Sequence, residues 1–101
     1  MVKHVILWKL KEELVGEEKA KVVAGIKENI ESLNGKIPGL ISVSVQADGL
    51  LASSNADVML DSSFEDEASL KGYAVHPEHV AVADTYVRPY TQTRLCLDYE
   101  V

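Results

Sequence analysis

The sequence is short of nearly everything that would mark a secreted, membrane-spanning or nucleic-acid-binding protein. One cysteine, Cys96, in 101 residues excludes an internal disulfide framework. The uncharged runs are far shorter than the ~20 apolar residues that a membrane span requires. No apolar run followed by a small-residue cleavage site marks a secretory leader, so the expected location is cytoplasmic, with no membrane partner. Basic residues are in deficit, with 10 Lys and Arg against 16 Asp and Glu and a formal net charge of -6. Phosphate binding needs clustered Lys and Arg. Lys3, Lys9, Lys11, Lys19, Lys21 and Lys27 do gather near the start, but Glu12, Glu13, Glu17 and Glu18 sit among them, so no nucleic-acid partner is expected.

Three Pro and six Gly are too few for a disordered chain, and 47% hydrophobic with 26% charged residues is an ordinary globular balance. The length gives one domain, 1–101, near the size at which a partner helps to complete the core.

Hydrophobic periodicity orders the chain. The opening VKHVILWKLK places His4, Ile6, Trp8 and Leu10 on one side and Val5, Leu7 and Lys9 on the other, which predicts a strand covered on both faces. Val22, Val23, Ile26, Ile30 and Leu33 recur at helical spacing from about Gly16 to Leu33. Asn34-Gly35 suits a left-handed helix end, and Ile37-Pro38-Gly39 turns the chain. Leu40 to Ala47 alternates Ile41, Val43 and Val45 against Ser42, Ser44 and Gln46, a second strand. Asp48 to Asn55 reads as a loop and Ala56 to Phe64 as a third strand. A short acidic-started helix follows Phe64 and ends near Tyr73 or Ala74, because Pro77 disfavours helix at the residue before it. A further helix restarts at Pro77 and runs to Arg88-Pro89. Thr91 to Val101 is the last strand, in which Cys96 is expected as a half-buried thiol rather than a nucleophile.

A βαββαβ order folds most simply as an α+β, ferredoxin-like layer, a four-stranded antiparallel sheet with helices on one face. The other face keeps apolar residues with no cover from its own chain. A second copy of the sheet would cover it, giving a homodimeric α/β barrel.

The candidate chemistry lies in YAVHPEH, residues 73–79, which holds two of the three histidines. A neutral imidazole is available as a base near pH 7 and a phenol stays protonated there, so His79 and Tyr73 suit a base and a hydrogen-bond donor. His4 shares a strand face with Ile6 and Trp8 and can line the same cavity. His76 belongs to the candidate lining as well, although it can equally satisfy amides at the helix junction. A metal set of His76, His79 and His4 or Glu78 is set aside, since His76 precedes the proline and lies outside the helix. Three readings stand for these residues: catalysis, binding of a small organic ligand without turnover, and structure alone.

VKHVILWKLK, IPGL, FEDEASLKGY before HPEH, and LCLDY at the end resemble, in order and spacing, the Dabb family of stress-responsive dimeric α/β-barrel domains. The resemblance implies a homodimer paired through its sheet faces, with a small cavity in each subunit and no cofactor. In a plant polyketide cyclase of this family, which works by intramolecular aldol chemistry, the catalytic tyrosine and histidine match Tyr73 and His79, and a pocket histidine matches His4. This chain departs from that cyclase in carrying Trp8 where the cyclase has a smaller aliphatic residue, and in having no tyrosine before Tyr73. A smaller substrate than a long acyl chain is therefore expected. Other relatives show a cation near the end of the first helix, where carbonyls around Ile37 could serve. Plant relatives also include stress-protective ring-forming proteins, which act through assembly.

Overall fold

Strand β1 (Val2–Leu10) is the middle of the molecule, hydrogen-bonded antiparallel to β3 (Val58–Phe64) on one edge and to β4 (Thr91–Glu100) on the other. The computed structural model describes residues 1–101, and its sheet runs β2-β3-β1-β4 with β2 (Leu40–Gln46) at one edge. Helix α1 (Gly16–Glu31), helix α2 (Glu67–Val75) and helix α3 (Pro77–Val82) lie on one face, completing a ferredoxin-like α+β fold. A π-helical turn at Ala83–Val87 and a 3₁₀ turn at Arg88–Tyr90 carry the chain from α3 into β4. No helix is long and apolar enough to cross a membrane.

Alternation on the strands decides what each face does. Val2, His4, Ile6, Trp8 and Leu10 are buried on the helix side, as are Val58, Leu60, Ser62 and Phe64 of β3 and Val43 and Val45 of β2. Ile26, Ile30 and Leu33, at helical spacing, close over them from α1 and its end, so the core is one continuous cluster. The opposite face carries Val5, Leu7 and Met59 beside Leu95, Leu97 and Tyr99, and here Leu95 is 63% and Leu97 62% exposed.

Two local details differ from the periodicity. Ile41 does not share the inner face with Val43 and Val45: the β2–β3 register shifts between Leu40 and Ser42, and Ile41 at that irregularity is 53% exposed. Of the Asn34-Gly35 pair, Gly35 takes the left-handed conformation with φ 79° and Asn34 does not, since only glycines have positive φ. The Asn34 side chain instead turns to the free edge of β2, accepting from Val43 N–H at 2.9 Å and donating to the Val43 carbonyl at 2.8 Å. One pleat along, Glu31 accepts from Val45 N–H at 2.9 Å and Lys27 donates to the Val45 carbonyl at 2.9 Å. The Val45 amide, with Lys27 beside it, holds the Glu31 carboxyl below the usual range. The end of α1 thus occupies hydrogen-bonding positions on an edge strand that would otherwise invite another strand.

Gly39 is fixed by a second requirement. Its φ is 78°, and a Cβ there would collide with the Ser69 side chain at the start of α2. Gly35 has a similar φ of 79° but open space around it. Gly35→Ala is expected to cost roughly 1–2 kcal/mol for backbone conformation alone. Gly39→Ala adds the collision and should cost at least ~1 kcal/mol more. Urea denaturation of the two variants measures the difference, and equal midpoints would show that the Gly39–Ser69 approach is not tight.

Candidate functional site

The site is built around a helix that stops and restarts. Asp66 caps α2 by accepting from the Ser69 N–H at 2.7 Å, and α2 then places Tyr73 inward with 2% of its surface exposed. The residue before Pro77 is held extended, so the helix breaks at His76, and Pro77 opens α3 at its first turn. The break brings His79 back over Tyr73, with ring centroids 4.2 Å apart and planes tilted 37°. Phe64 meets Tyr73 edge-on at 5.0 Å, and the His4 ring stands 6.3 Å from both Phe64 and Tyr73.

A cavity of about 310 Å³ lies among these residues, lined by His4, Ile6, Trp8, Tyr73, His79 and Arg94 among others. Five of the six residues singled out from sequence therefore meet in one space. Trp8 forms part of its wall and leaves the space open. His76 does not join them. Its Nδ1 accepts from Glu78 N–H at 3.1 Å, which makes it the N-cap of α3, and it borders a separate surface recess with Ile37, Pro38 and Gly39. The pocket role expected for His76 is thus replaced by a capping role, because the residue before a proline cannot continue the helix that would aim it inward.

The polar groups in this cavity are set for opposite jobs. The Tyr73 hydroxyl is buried and has no hydrogen-bond partner, and burial pushes its pKa up to about 12, so it remains a donor at any physiological pH. A buried hydroxyl without a partner is uncommon and costs about 1–3 kcal/mol. His79 Nδ1 lies 3.2 Å from the Ala74 carbonyl, which can only accept, so Nδ1 carries the hydrogen and the Nε2 lone pair is left free. Burial lowers the His79 pKa first; the Ala74 hydrogen bond raises it, and electrostatic interaction with Arg88, His4 and Arg94 lowers it again. The net direction is downward. A partnerless phenol and an imidazole with a free nitrogen thus supply a donor and an acceptor among the residues lining one small space.

Sequence reasoning missed the far side of His4. Residues of β4 that face the helix layer are polar: Arg94, Cys96 and Asp98 stand opposite Trp8, Ile6 and His4. Cys96 is exposed rather than half-buried, because β4 is an edge strand. His4 Nδ1 and the Asp98 carboxylate are in direct contact, and Cys96 Sγ lies 3.4 Å from Asp98 Oδ1. Burial first, then the Asp98 carboxylate, raise the Cys96 pKa, so this thiol is a poor nucleophile. A second recess of about 520 Å³, bordered by His4, Glu67, Lys71, Arg94, Cys96 and Asp98, opens beside it. The signal in the sequence was the period-2 spacing of Cys96 and Asp98, which carries no information about which strand lies opposite.

Comparison with known proteins places this architecture. The chain matches the model of the Stress responsive A/B Barrel Domain over residues 2–101. No curated protein matches it. Among solved structures, it resembles a dimeric ferredoxin-like protein of unknown function from Bacteroides fragilis, at 35% identity and a TM-score of 0.91 over 99% of this chain and 95% of that one. It also resembles a dimeric ferredoxin-like protein of unknown function from Thermobifida fusca, at 21% identity and a TM-score of 0.78 over 99% and 90%. A hydroxynitrile lyase from Passiflora edulis shares the fold at 14% identity and a TM-score of 0.69 over 97% and 90%. With the family model matched from β1 through β4, the chain belongs to the stress-responsive A/B barrel, or Dabb, family.

Proposed function

We propose that the protein is a homodimer that binds a small carbonyl compound between sheet and helices, with Tyr73 donating to the carbonyl oxygen and His79 taking a proton from the adjacent carbon. The observation that carries this reading is Tyr73, which lines the cavity with His79 and whose buried hydroxyl has no hydrogen-bond partner. A ligand oxygen would supply the missing acceptor. The same hydrogen bond would stabilise the enolate that forms as His79 Nε2 accepts the proton. The enolate can then take its proton back, which exchanges the hydrogen, or add to a second carbonyl whose alkoxide takes the proton from His79, so aldol-type ring closure, or cleavage by the reverse of that addition, is the reaction class. A cavity of about 310 Å³ is at the small end of ligand sites and favours a short substrate.

The dimer rests on the outward sheet face. Leu7, Leu95, Leu97 and Tyr99 form an apolar surface with Val5 and Met59 that no element of the same chain covers. The relative at 35% identity is dimeric. An apolar patch of this kind on an antiparallel sheet packs well against its own copy. In light scattering at micromolar concentration the mass should be twice that of one chain. Leu97→Glu, which puts a charge into the middle of the face, should shift the protein to monomer; a monomeric wild type would remove the barrel argument.

Tyr73→Phe removes a hydroxyl that has no partner, so it should leave the unfolding free energy unchanged or raise it by up to the ~1–3 kcal/mol that the unmet group costs. The same change should slow exchange of hydrogens next to the carbonyl of bound ketones or aldehydes by roughly 10²-fold, measured by NMR in heavy water. His79→Gln should slow it by roughly 10²–10⁴-fold. Both variants exchanging at the wild-type rate would leave only a structural role for the pair.

The pH dependence follows from the direction of the His79 shift. Its folded pKa lies below the ordinary ~6.5, so the folded state binds this proton less readily than the unfolded chain does. The stability attached to this group is fully present above ~6.5 and is lost as pH falls through the folded value. Exchange should therefore hold its plateau to a pH below 6.5, and stability should decline with a slope that His79→Gln makes shallower. Parallel urea titrations at pH 5 and 7.5 measure this, and an unchanged slope in the variant would assign the decline to other groups.

A further inference from the structure

From the cluster on the other side of His4, we propose a second site, in which His4 Nδ1, Cys96 Sγ and an Asp98 carboxylate oxygen bind a divalent transition cation of the zinc class.

Three different ligand types converge here from two adjacent strands, with all three ligand atoms within 4.8 Å of one another. Cys96 Sγ lies 3.8 Å from His4 Nδ1 and 3.4 Å from Asp98 Oδ1. Tetrahedral zinc, with bonds of ~2.0–2.1 Å to nitrogen, ~2.0–2.2 Å to oxygen and ~2.3 Å to sulfur, keeps such atoms roughly 3.3–3.6 Å apart. Two of the three edges thus stand close to the required lengths. The third, His4 to Asp98, is a direct contact and must open to admit the ion, which an exposed carboxylate at the edge strand can do by rotation.

The arrangement argues against a cysteine nucleophile with a histidine base and an orienting acid. Such a triad needs thiol and carboxylate on opposite ring nitrogens of the histidine, whereas Cys96 and Asp98 both approach Nδ1. Convergence on one nitrogen wastes a relay and suits a cation. The cation would supply the positive charge that deprotonates the thiol on binding.

Thiolate plus carboxylate would neutralise a divalent ion, and the recess beyond them offers Glu67 and Glu100 against Lys71 and Arg94. A fourth coordination position would face that recess of about 520 Å³, which leaves room for water or a small ligand. Imidazole, thiolate and carboxylate together favour zinc-like ions over magnesium or calcium, whose sites are built from oxygen. Of the three proposed ligands, only His4 on β1 also lines the Tyr73–His79 cavity, and Arg94 borders both spaces beside it.

Cobalt(II) is the probe, because a cobalt–thiolate bond has a charge-transfer absorption in the near ultraviolet. Titrating the reduced, full-length protein should give that band with a plateau at one equivalent per chain, reversed by zinc. Cys96→Ser, at an exposed position, should abolish the band and weaken binding more than tenfold. Asp98→Asn and His4→Gln should each weaken it at least tenfold, while Glu67→Gln with Glu100→Gln should not. Wild-type protein without the band, or Cys96→Ser binding cobalt as tightly as wild type, would overturn the site. So would binding lost in the Glu67 and Glu100 variant but kept in Cys96→Ser, which would mark a carboxylate surface site instead.

Discussion

The fold depends on one strand being hydrogen-bonded on both edges. β1 pairs with β3 over Val2–Trp8 and with β4 over Val2–Leu10, so its backbone is fully committed and its side chains must alternate between two environments. A slip of one residue would send His4, Ile6 and Trp8 outward and Lys3, Val5 and Leu7 into the core. The cost of burying Lys3 and Lys9 unpaired fixes the register. With that register set, His4 faces the helices, and the cavity, the β4 cluster and the apolar outer face all take their positions from it.

Helix interruption supplies what the sheet cannot. A continuous helix from Glu67 to Val82 would separate Tyr73 and His79 by about a turn and two-thirds along its axis. The break at Pro77 redirects the second segment, so His79 lies over the Tyr73 ring and its Nδ1 reaches back to the Ala74 carbonyl left free at the end of α2. The carbonyl does two things at once: it satisfies a helix terminus and chooses the imidazole tautomer. Tyr73 receives no such partner, and the surrounding packing against Phe64 outweighs that loss.

Much of this was legible in the sequence, for a reason that also explains the rest. Element order, the Pro77 break and the face shared by His4, Ile6 and Trp8 follow from local spacing and proline chemistry, and local rules are written along the chain. Ile41 leaves the face that its spacing predicts because a register irregularity inserts a residue without changing the apparent alternation. His76 caps a helix rather than lining the pocket, and the residue type alone does not distinguish a capping histidine from a pocket histidine. The pairing of Asn34, Glu31 and Lys27 with the β2 edge, and the convergence of Cys96 and Asp98 on His4, depend on distant segments meeting. No periodicity within one segment encodes such a meeting.

His4 deserves its central place for energetic reasons as much as geometric ones. Its backbone carbonyl accepts from the Ser62 hydroxyl at 2.7 Å, its ring stands steeply inclined to those of Phe64 and Tyr73, and its Nδ1 approaches Asp98 and Cys96. The ring is therefore held between two spaces, with strand backbone behind it. Rotation that strengthens contact with Asp98 or with a cation at Cys96 must also move the face presented to Tyr73. Because His4 is 8% exposed and its ring stands beside aromatic neighbours, small displacements cannot be absorbed by solvent. In the proposed arrangement, occupancy at the β4 cluster would set the position of the His4 ring in the cavity wall, so the two sites would be coupled through one side chain rather than through a long path across the fold.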